Sequence, residues 1–397
     1  MNPGKNINQP SVLIVDDNIK NIEVLGKFLQ DEGISVEFAL DGATALGWLE
    51  KKSFDLILLD IMMPGMDGYE VCSGIKKNPL TCEIPVIFLT AKTDPESIVK
   101  GFDCGAVDYV TKPFIHKELL ARVNSQIQIK KAKDEIQQYL AVIEAKNKDI
   151  TASITYARNI QKAILNKLQT VKQLPEHFIL FLPKDIVSGD FYWFNRIDNK
   201  ILVGVFDCTG HGVPGAFMSM LGIALLNETV IREEIVEPHL ILHRLREKII
   251  EALGQKGISA EVRDGMDGSM ISYDMKNKTL IYSGAFNPMY MIRDNKIIEF
   301  RGDRMPLSYH DKISDFSCQE IKIKPNDLIY LFTDGYIDQF GGQKKKKFQR
   351  AQFREVLLMN HKNPLAVQKQ MLLDTCNNWK SNEEQVDDIT VLGLKLY

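Results

Sequence analysis

Between Ser11 and about Ser125 the chain alternates short apolar runs with stretches whose apolar residues recur at helical spacing. The runs are residues 12–15, 56–59, 86–89 and 106–110, and the helical patterns cover 19–31, 41–51, 68–76 and 96–104. Short apolar runs bounded by turn signals predict buried strands, and strand–helix alternation predicts a doubly wound α/β domain with a parallel, flavodoxin-like sheet. From about His116 to Leu168 the pattern changes. Ile129, Ile136, Ile143, Ile150, Ala157 and Ile164 recur every seventh residue, and no Pro or Gly follows Ile129 in this stretch. Leu140, Asn147, Ile154 and Leu168 fall on the companion seam, which Lys133 and Gln161 weaken. A sustained seven-residue repeat predicts a coiled coil, and a polar residue at Asn147 favours two parallel strands and hence a homodimer. One long amphipathic helix lying on its own domains is the other reading.

Beyond about Leu174 strand-like runs dominate: 178–183, 190–194, 201–207, 269–274, 279–284, 289–293, 297–300, 316–323, 328–333 and 389–396. Asn277-Lys278 and Asp294-Asn295 read as hairpin turns. Helical patterns interrupt in pairs, 215–231 with 238–252 and 348–359 with 364–379, and Pro214 is expected to open the first of them. Runs of strands followed by helix pairs predict an α+β sandwich rather than a second parallel sheet.

A chain of 397 residues exceeds one ordinary core, so the expected domains are 10–125, a helical coiled-coil linker 126–170, and 171–397. The net charge of −3 gives no reason to expect nucleic acid or an anionic membrane as a partner. The first ten residues lack an apolar signal region, and no unbroken apolar run approaches ~18 residues, so no membrane span and a cytoplasmic location are expected. Six scattered cysteines without Cys-x-x-Cys pairing fit reduced thiols.

Three of the first four strand-like runs end in Asp16-Asp17, Asp60 and Thr90, and the fourth is followed by Lys112-Pro113. In a doubly wound sheet these positions meet beyond the carboxyl ends of the strands. Clustered carboxylates repel unless a hard cation sits among them, and oxygen ligands of this kind suit Mg²⁺. A carboxylate so held can attack a phosphoryl group while a Lys and a hydroxyl hold its oxygens. The segments VDDN, LLDIMMPGMDGYE, FLTA and DYVTKPF resemble the signature of response-regulator receiver domains. That resemblance implies Asp60 as phosphoacceptor, with Asp16, Asp17, Asp60 and the carbonyl of Met62 holding Mg²⁺. Thr90 and Lys112 would contact the phosphoryl group, and Tyr109 matches the switch aromatic.

In the last segment acidic residues recur at strand ends or starts: Asp190 in VSGDFYWF, Asp207 in VFDCTGHG, Asp334 in YLFTDGYIDQFGG, and Asp387-Asp388 in QVDDITVLGLK. Several carboxylates together favour Mg²⁺ or Mn²⁺, and two such ions can activate a water for in-line attack on phosphorus. These four motifs, in this order, resemble the bacterial PPM-type protein serine/threonine phosphatases of the sporulation-stage-II-E subclass. The resemblance implies that Asp190, Asp207, Asp334 and Asp387 are catalytic and ligate a pair of Mn²⁺ or Mg²⁺ ions, with the carbonyl of Cys208. Cys208 departs from the usual Gly, mildly, since only backbone is used. Asp338 matches a third-metal ligand of some members, and Asp388 is a further candidate. Asp267, in DGMDGSM, is expected to be structural. His211 could serve as general acid or lie on the surface, and Lys184 could meet a substrate phosphate. The run 344–347 of four lysines reads as a solvated loop or as a steering patch for an acidic partner.

Together these readings describe a two-component response regulator whose output is a metal-dependent protein phosphatase. The implied partners are a sensor histidine kinase or phosphotransfer protein and a phosphorylated anti-sigma-factor antagonist. A pseudophosphatase that presents a phosphorylation-controlled surface to a sigma factor or adaptor is the alternative; retention of all four aspartates favours the enzyme.

Overall fold

The computed structural model describes residues 9–91, 95–168, 174–255, 264–310 and 313–396, and the chain divides into two compact units, Met1–Asn147 and Lys148–Tyr397. In the first unit β1 (Ser11–Val15), β2 (Ser35–Ala39), β3 (Leu56–Asp60), β4 (Val86–Thr90) and β5 (Asp108–Thr111) form one sheet in the order β2-β1-β3-β4-β5. Every pair is parallel. The helices are α1 (Ile19–Asp31), α2 (Gly42–Leu49), α3 (Gly68–Lys77), α4 (Pro95–Asp103) and α5 (His116–Leu168). Val12, Ile14 and Leu58 pack against Leu25 and Leu29 of α1 and Leu119 and Val123 of α5. On the opposite face Leu13, Val15 and Leu59 meet Ala45 of α2 and Val71 and Ile75 of α3. β1, β3 and β4 are buried on both faces, which is why they read as unbroken apolar runs. β2 was not expected: it is an edge strand with only Ala39 buried and Phe38 exposed, so no such run marks it.

α5 is one uninterrupted helix of 53 residues. Its heptad positions Ile129, Ile136, Leu140, Ile143 and Ile150 are 52–59% exposed. Off the seam, Tyr139 and Val142 are exposed as well. The repeat does not stay on one seam to the end, because Gln161 and Leu165 are buried and Ile164 packs against the core of the second unit. The side chain of Leu168 and residues 169–173 lie outside the described residues.

The second unit runs through β6 (Glu176–Leu182), β7 (Phe191–Ile197), β8 (Lys200–Cys208), α6 (Gly212–Asn227), a π-helical turn (Glu228–Arg232), α7 (Pro238–Ala252), β9 (Met266–Asp274) and β10 (Thr279–Ala285). It continues with β11 (Met289–Arg293), β12 (Lys296–Phe300), β13 (Gln319–Lys322), β14 (Leu328–Phe332), α8 (Gly335–Asp338), β15 (Phe340–Gly341), β16 (Lys346–Lys347), α9 (Gln349–Asn360), α10 (Leu365–Lys380) and β17 (Ile389–Lys395). Two five-stranded antiparallel sheets, β13-β10-β9-β8-β7 and β12-β11-β14-β17-β6, share a core in which Val203, Met270 and Leu280 meet Met291, Leu331 and Leu392. α6 and α7 cover the outside of the first sheet through Ile223, Leu226, Ile241 and Leu245. α9 and α10 cover the second through Phe353, Leu357 and Leu372 against Tyr290, Tyr330 and Phe332. The expected sandwich and helix pairs are therefore present, and the expected turns carry positive φ at Lys278, Asp294 and Asn295. Two expectations for α6 change. It starts at Gly212, with His211 at the N-cap position but making no side-chain cap bond, so Pro214 falls in the first turn rather than opening it. With the π turn it spans Gly212–Arg232, 21 residues, long and apolar enough by length and composition to cross a membrane. Its Met218, Ile223 and Leu226 instead lie in the core of this unit.

Candidate metal and phosphoryl sites

In the first unit the sheet brings the ends of β1, β3, β4 and β5 together. One carboxylate oxygen from each of Asp16, Asp17 and Asp60 lies within 4.8 Å of the others. Asp16 is held by Asn18 N (2.9 Å) and by Asn21 Nδ2 (3.0 Å to each oxygen). Lys112 Nζ donates to Asp16 Oδ2 at 2.9 Å and to Asp60 Oδ2 at 2.8 Å, and the Lys112–Pro113 peptide is cis. Burial raises the Asp60 carboxyl above its ordinary range, opposed by the Lys112 hydrogen bond and charge. Burial alone would depress the Lys112 ammonium, but the bonds to Asp60 and Asp16 outweigh it and raise it. Asp60, Met62, Thr90 and Lys112 line one pocket with Tyr69 and Lys100. Half-buried Tyr109 lies beside it, its ring 6.4 Å from Phe102. A cation among these three carboxylates would relieve their repulsion, so the residues fit the hard-cation expectation.

In the second unit β7 begins just after Asp190, β8 carries Asp207, Asp334 follows β14, and Asp387 precedes β17. Sheet pairing brings these ends to one edge of the sandwich. The charges of Asp190, Asp334, Asp387 and Asp267 all bear on Asp207. Asp190 and Asp334 thus both lie near Asp207. Asp190 is 1% exposed. Its Oδ2 accepts from the hydroxyls of Thr333 and Thr390, each at 2.7 Å, while its Oδ1 is buried with no hydrogen-bond partner among the described residues. Burial pushes the carboxyls of Asp190 and Asp207 well up, and neighbouring carboxylates push further. Asp334 opens to solvent on one side, yet the surrounding protein and then the charges of Asp338 and Asp387 still raise it. An orphaned buried carboxylate oxygen near other like charges is costly without a cation. The donor set fits divalent ions that prefer oxygen ligands.

Two glycines permit this convergence. A Cβ on Gly215 of α6 would sit 2.2 Å from Gly210 O and 2.9 Å from Gly189 Cα, so the loops flanking Asp190 and Asp207 pack on the first turn of α6. A Cβ on Gly335 would sit 2.0 Å from Asp388 O, joining Asp334 to the Asp387 loop.

The remaining candidates fall in distinct places. Asp388 is buried and accepts from Lys184 N and Gly189 N, both at 2.7 Å, so its oxygens anchor the loop before Asp190. Lys184 takes part there through its backbone. Asp338 pairs with Lys347 at 2.7 Å, and Lys345 pairs with Glu383, so part of the lysine run is neutralised locally. His211 is exposed and bonds Asp185 Oδ2 through Nδ1 at 2.6 Å, a partner the sequence did not suggest. Cys208 is buried, and its carbonyl lies 3.4 Å from where a Gly189 Cβ would be, among the clustered loops. Asp267, expected to be structural, is the cross-strand partner of Asp207. Burial, and then the Asp334 charge, raise its carboxyl to about 7. Its place in the cluster depends on β8–β9 register, which the sequence does not display.

Comparison with known proteins bears on the family of each unit. The model of the response regulator receiver domain matches residues 12–124, and that of stage II sporulation protein E (SpoIIE) matches residues 197–397. The chain belongs to the SpoIIE family. It joins a receiver domain to a SpoIIE-type PPM phosphatase domain, and proteins of both kinds use divalent metals such as Mg²⁺ or Mn²⁺. Over 64% of this chain and 99% of the other, it superimposes on the SiaA-PP2C domain of Pseudomonas aeruginosa with 32% identity and a TM-score of 0.59. The receiver part is 42% identical over 127 residues to response regulator PleD of Caulobacter vibrioides, spanning 32% of this chain but 28% of that protein. A 30% identity over 244 residues relates this SpoIIE-family chain to regulatory protein VanRc of Enterococcus gallinarum, covering 60% and 90% of the two. The chain thus spans under a third of the length of PleD.

Proposed function

We propose that this response regulator hydrolyses phosphoserine or phosphothreonine on a partner protein and that phosphorylation of Asp60 governs that activity. The unpartnered Asp190 Oδ1, buried amid Asp207, Asp334 and Asp387, carries the reading of the second unit as an active phosphatase. In this reading Asp190, Asp207, Asp334, Asp387 and the Cys208 carbonyl hold a pair of Mn²⁺ or Mg²⁺ ions. When bound, those ions supply an activated water and neutralise charge on the phosphoryl group. Thr333 and Thr390 fix one Asp190 oxygen and leave the other to the ions. Asp388 orders the loop that delivers Asp190. His211, paired with Asp185 at the mouth of the same loop, is the group able to hand a proton to the leaving oxygen.

In the receiver, Asp60 accepts a phosphoryl group from a sensor histidine kinase or phosphotransfer protein, with Mg²⁺ held by Asp16, Asp17, Asp60 and the Met62 carbonyl. Lys112 and Thr90 then hold the phosphoryl oxygens, and Tyr109 follows Thr90. The exposed heptad residues of α5 support a parallel homodimer through this helix in the cytoplasm. Boundaries at 10–125, 126–170 and 171–397 suit this division of labour. The substrate class is a phosphorylated switch protein of the anti-sigma-factor-antagonist kind. Mn²⁺-dependent hydrolysis of a phosphoserine peptide, falling to background in Asp207→Asn with the fold retained, is the expected result. Equal rates in the two proteins, or none in either, overturn the enzyme reading.

A further inference from the structure

The last turns of α5 do not merely lead into the phosphatase unit. Gln161 is 5% exposed and grips the strand entry that ends in Asp190. Its Nε2 donates to Ser188 O at 2.7 Å and to Ser219 Oγ of α6 at 3.0 Å, and its Oε1 accepts from Ser188 N at 3.1 Å. A single amide therefore bonds both main-chain polar groups of Ser188, whose carbonyl also accepts a longer bond from Ser219 Oγ at 3.3 Å. Two residues on, Asp190 N donates to Ser188 Oγ at 3.1 Å. Ser219 Oγ also donates to Ala216 O at 2.9 Å, tying the same junction to the first turns of α6. Leu165, one turn beyond Gln161, is 3% exposed within the sandwich core, so the helix is seated on that side.

We propose that Gln161 is a positioning residue for Asp190, and that the register of α5 is thereby a condition for assembling the metal site. This rests on the reading of Asp190 as a metal ligand. A buried glutamine is expensive unless its amide is fully used, and here donor and acceptor are both spent on one residue of the ligand loop. The polar side chain that interrupts the heptad seam thus has a specific counterpart. A helix displaced by one residue turns 100° and moves 1.5 Å, which carries the amide off Ser188. The Ser188 N–H would then lose its partner and its carbonyl would keep only the longer bond from Ser219 Oγ at 3.3 Å, leaving the loop before Asp190 held mainly from the Asp388 side. A signal that rotates or slides α5 is converted at this contact into presence or loss of a metal ligand. Partners one shell out from a metal typically alter its affinity about 10- to 100-fold when removed.

The test uses the full-length chain and Gln161→Met, which keeps length, volume and helix propensity but has no amide. Mn²⁺ affinity is read by calorimetry, and amide hydrogen exchange at 186–190 is read in EDTA, where neither metal nor turnover contributes. The expected result is Mn²⁺ binding weaker by about 10- to 100-fold, faster exchange at Ser188, and cooperative unfolding retained. Wild-type affinity with unchanged Ser188 exchange overturns the proposal. Should Gln161→Met not unfold cooperatively, Ser219→Ala decides: it removes the bond from Gln161 Nε2 together with the hydroxyl's own bonds to Ala216 O and Ser188 O, which predicts Mn²⁺ binding weaker by at least about 3- to 10-fold, and wild-type affinity overturns it. If the wild-type protein itself binds no Mn²⁺, the metal-site reading has failed and the proposal with it. If the wild type binds and Gln161→Met matches it, only the positioning role has failed.

Discussion

Thr390→Val isolates one of the two hydroxyls that hold Asp190. Thr390 Oγ1 donates to Asp190 Oδ2 at 2.7 Å, while Thr390 N bonds Thr333 Oγ1 at 3.0 Å, so the substitution removes the first bond and spares the second. With metal bound, Asp190 is ionised, and a hydrogen bond to a charged group contributes about 1.5–3 kcal/mol. Mn²⁺ affinity falls by the excess of this over the metal-free cost, about 1 kcal/mol, which at about 1.4 kcal/mol per decade is roughly 5-fold. Without metal, burial drives Asp190 toward its neutral form, and a neutral hydrogen bond contributes only about 0.5–1.5 kcal/mol. The substitution should therefore destabilise the Mn²⁺-loaded protein by about 1 kcal/mol more than the EDTA-treated protein. Urea unfolding with saturating Mn²⁺ and with EDTA, together with calorimetric titration, measures both quantities. Equal costs in the two conditions and an unaltered Mn²⁺ affinity would refute the argument that Thr390 supports a metal-binding carboxylate.

The raised carboxyl of Asp267, at about 7, gives a pH dependence with a definite sign. The folded metal-free protein holds that proton more tightly than the unfolded chain, so stability is lost as pH rises from about 4 to 7. Asp267→Asn should flatten that slope, and urea midpoints in EDTA at about pH 5 and 7.5 check it; an identical slope contradicts the assignment. Ile136→Asp with Ile143→Asp, at positions 59% and 52% exposed, should leave α5 helical and abolish dimers in sedimentation; a wild-type monomer at every concentration ends the coiled-coil proposal. Gly335→Ala places a Cβ 2.0 Å from Asp388 O, which should cost about 1–3 kcal/mol by overpacking and displace the Asp387 loop. Thermal unfolding at the wild-type temperature would show that this approach is not tight.

The parallel sheet was legible because β1, β3 and β4 are buried on both faces. β2 was not, because an edge strand with one buried residue leaves no apolar run. The acidic positions were visible as aspartates at strand ends beside glycines, since a buried carboxylate there is expensive enough to stand out. What supports them was hidden. Thr333 and Thr390 look like ordinary β-branched strand residues until the pairing of β14 with β17 sets both beside Asp190. Which of Asp387 and Asp388 faces the cluster and which anchors a loop depends on side-chain direction, not on composition. Gln161 appeared only as a flaw in a heptad, because its counterpart Ser188 lies 27 residues away.

The central claim is that Asp190, Asp207, Asp334 and Asp387 jointly hold two divalent ions. Anomalous diffraction from crystals of the full chain grown with Mn²⁺ tests it most directly. The account predicts two manganese peaks in this pocket, one of them bonded to Asp190 Oδ1 at a carboxylate distance of roughly 2.0–2.6 Å. Manganese absent from the pocket at saturating concentration, with the four aspartates in place, would contradict it.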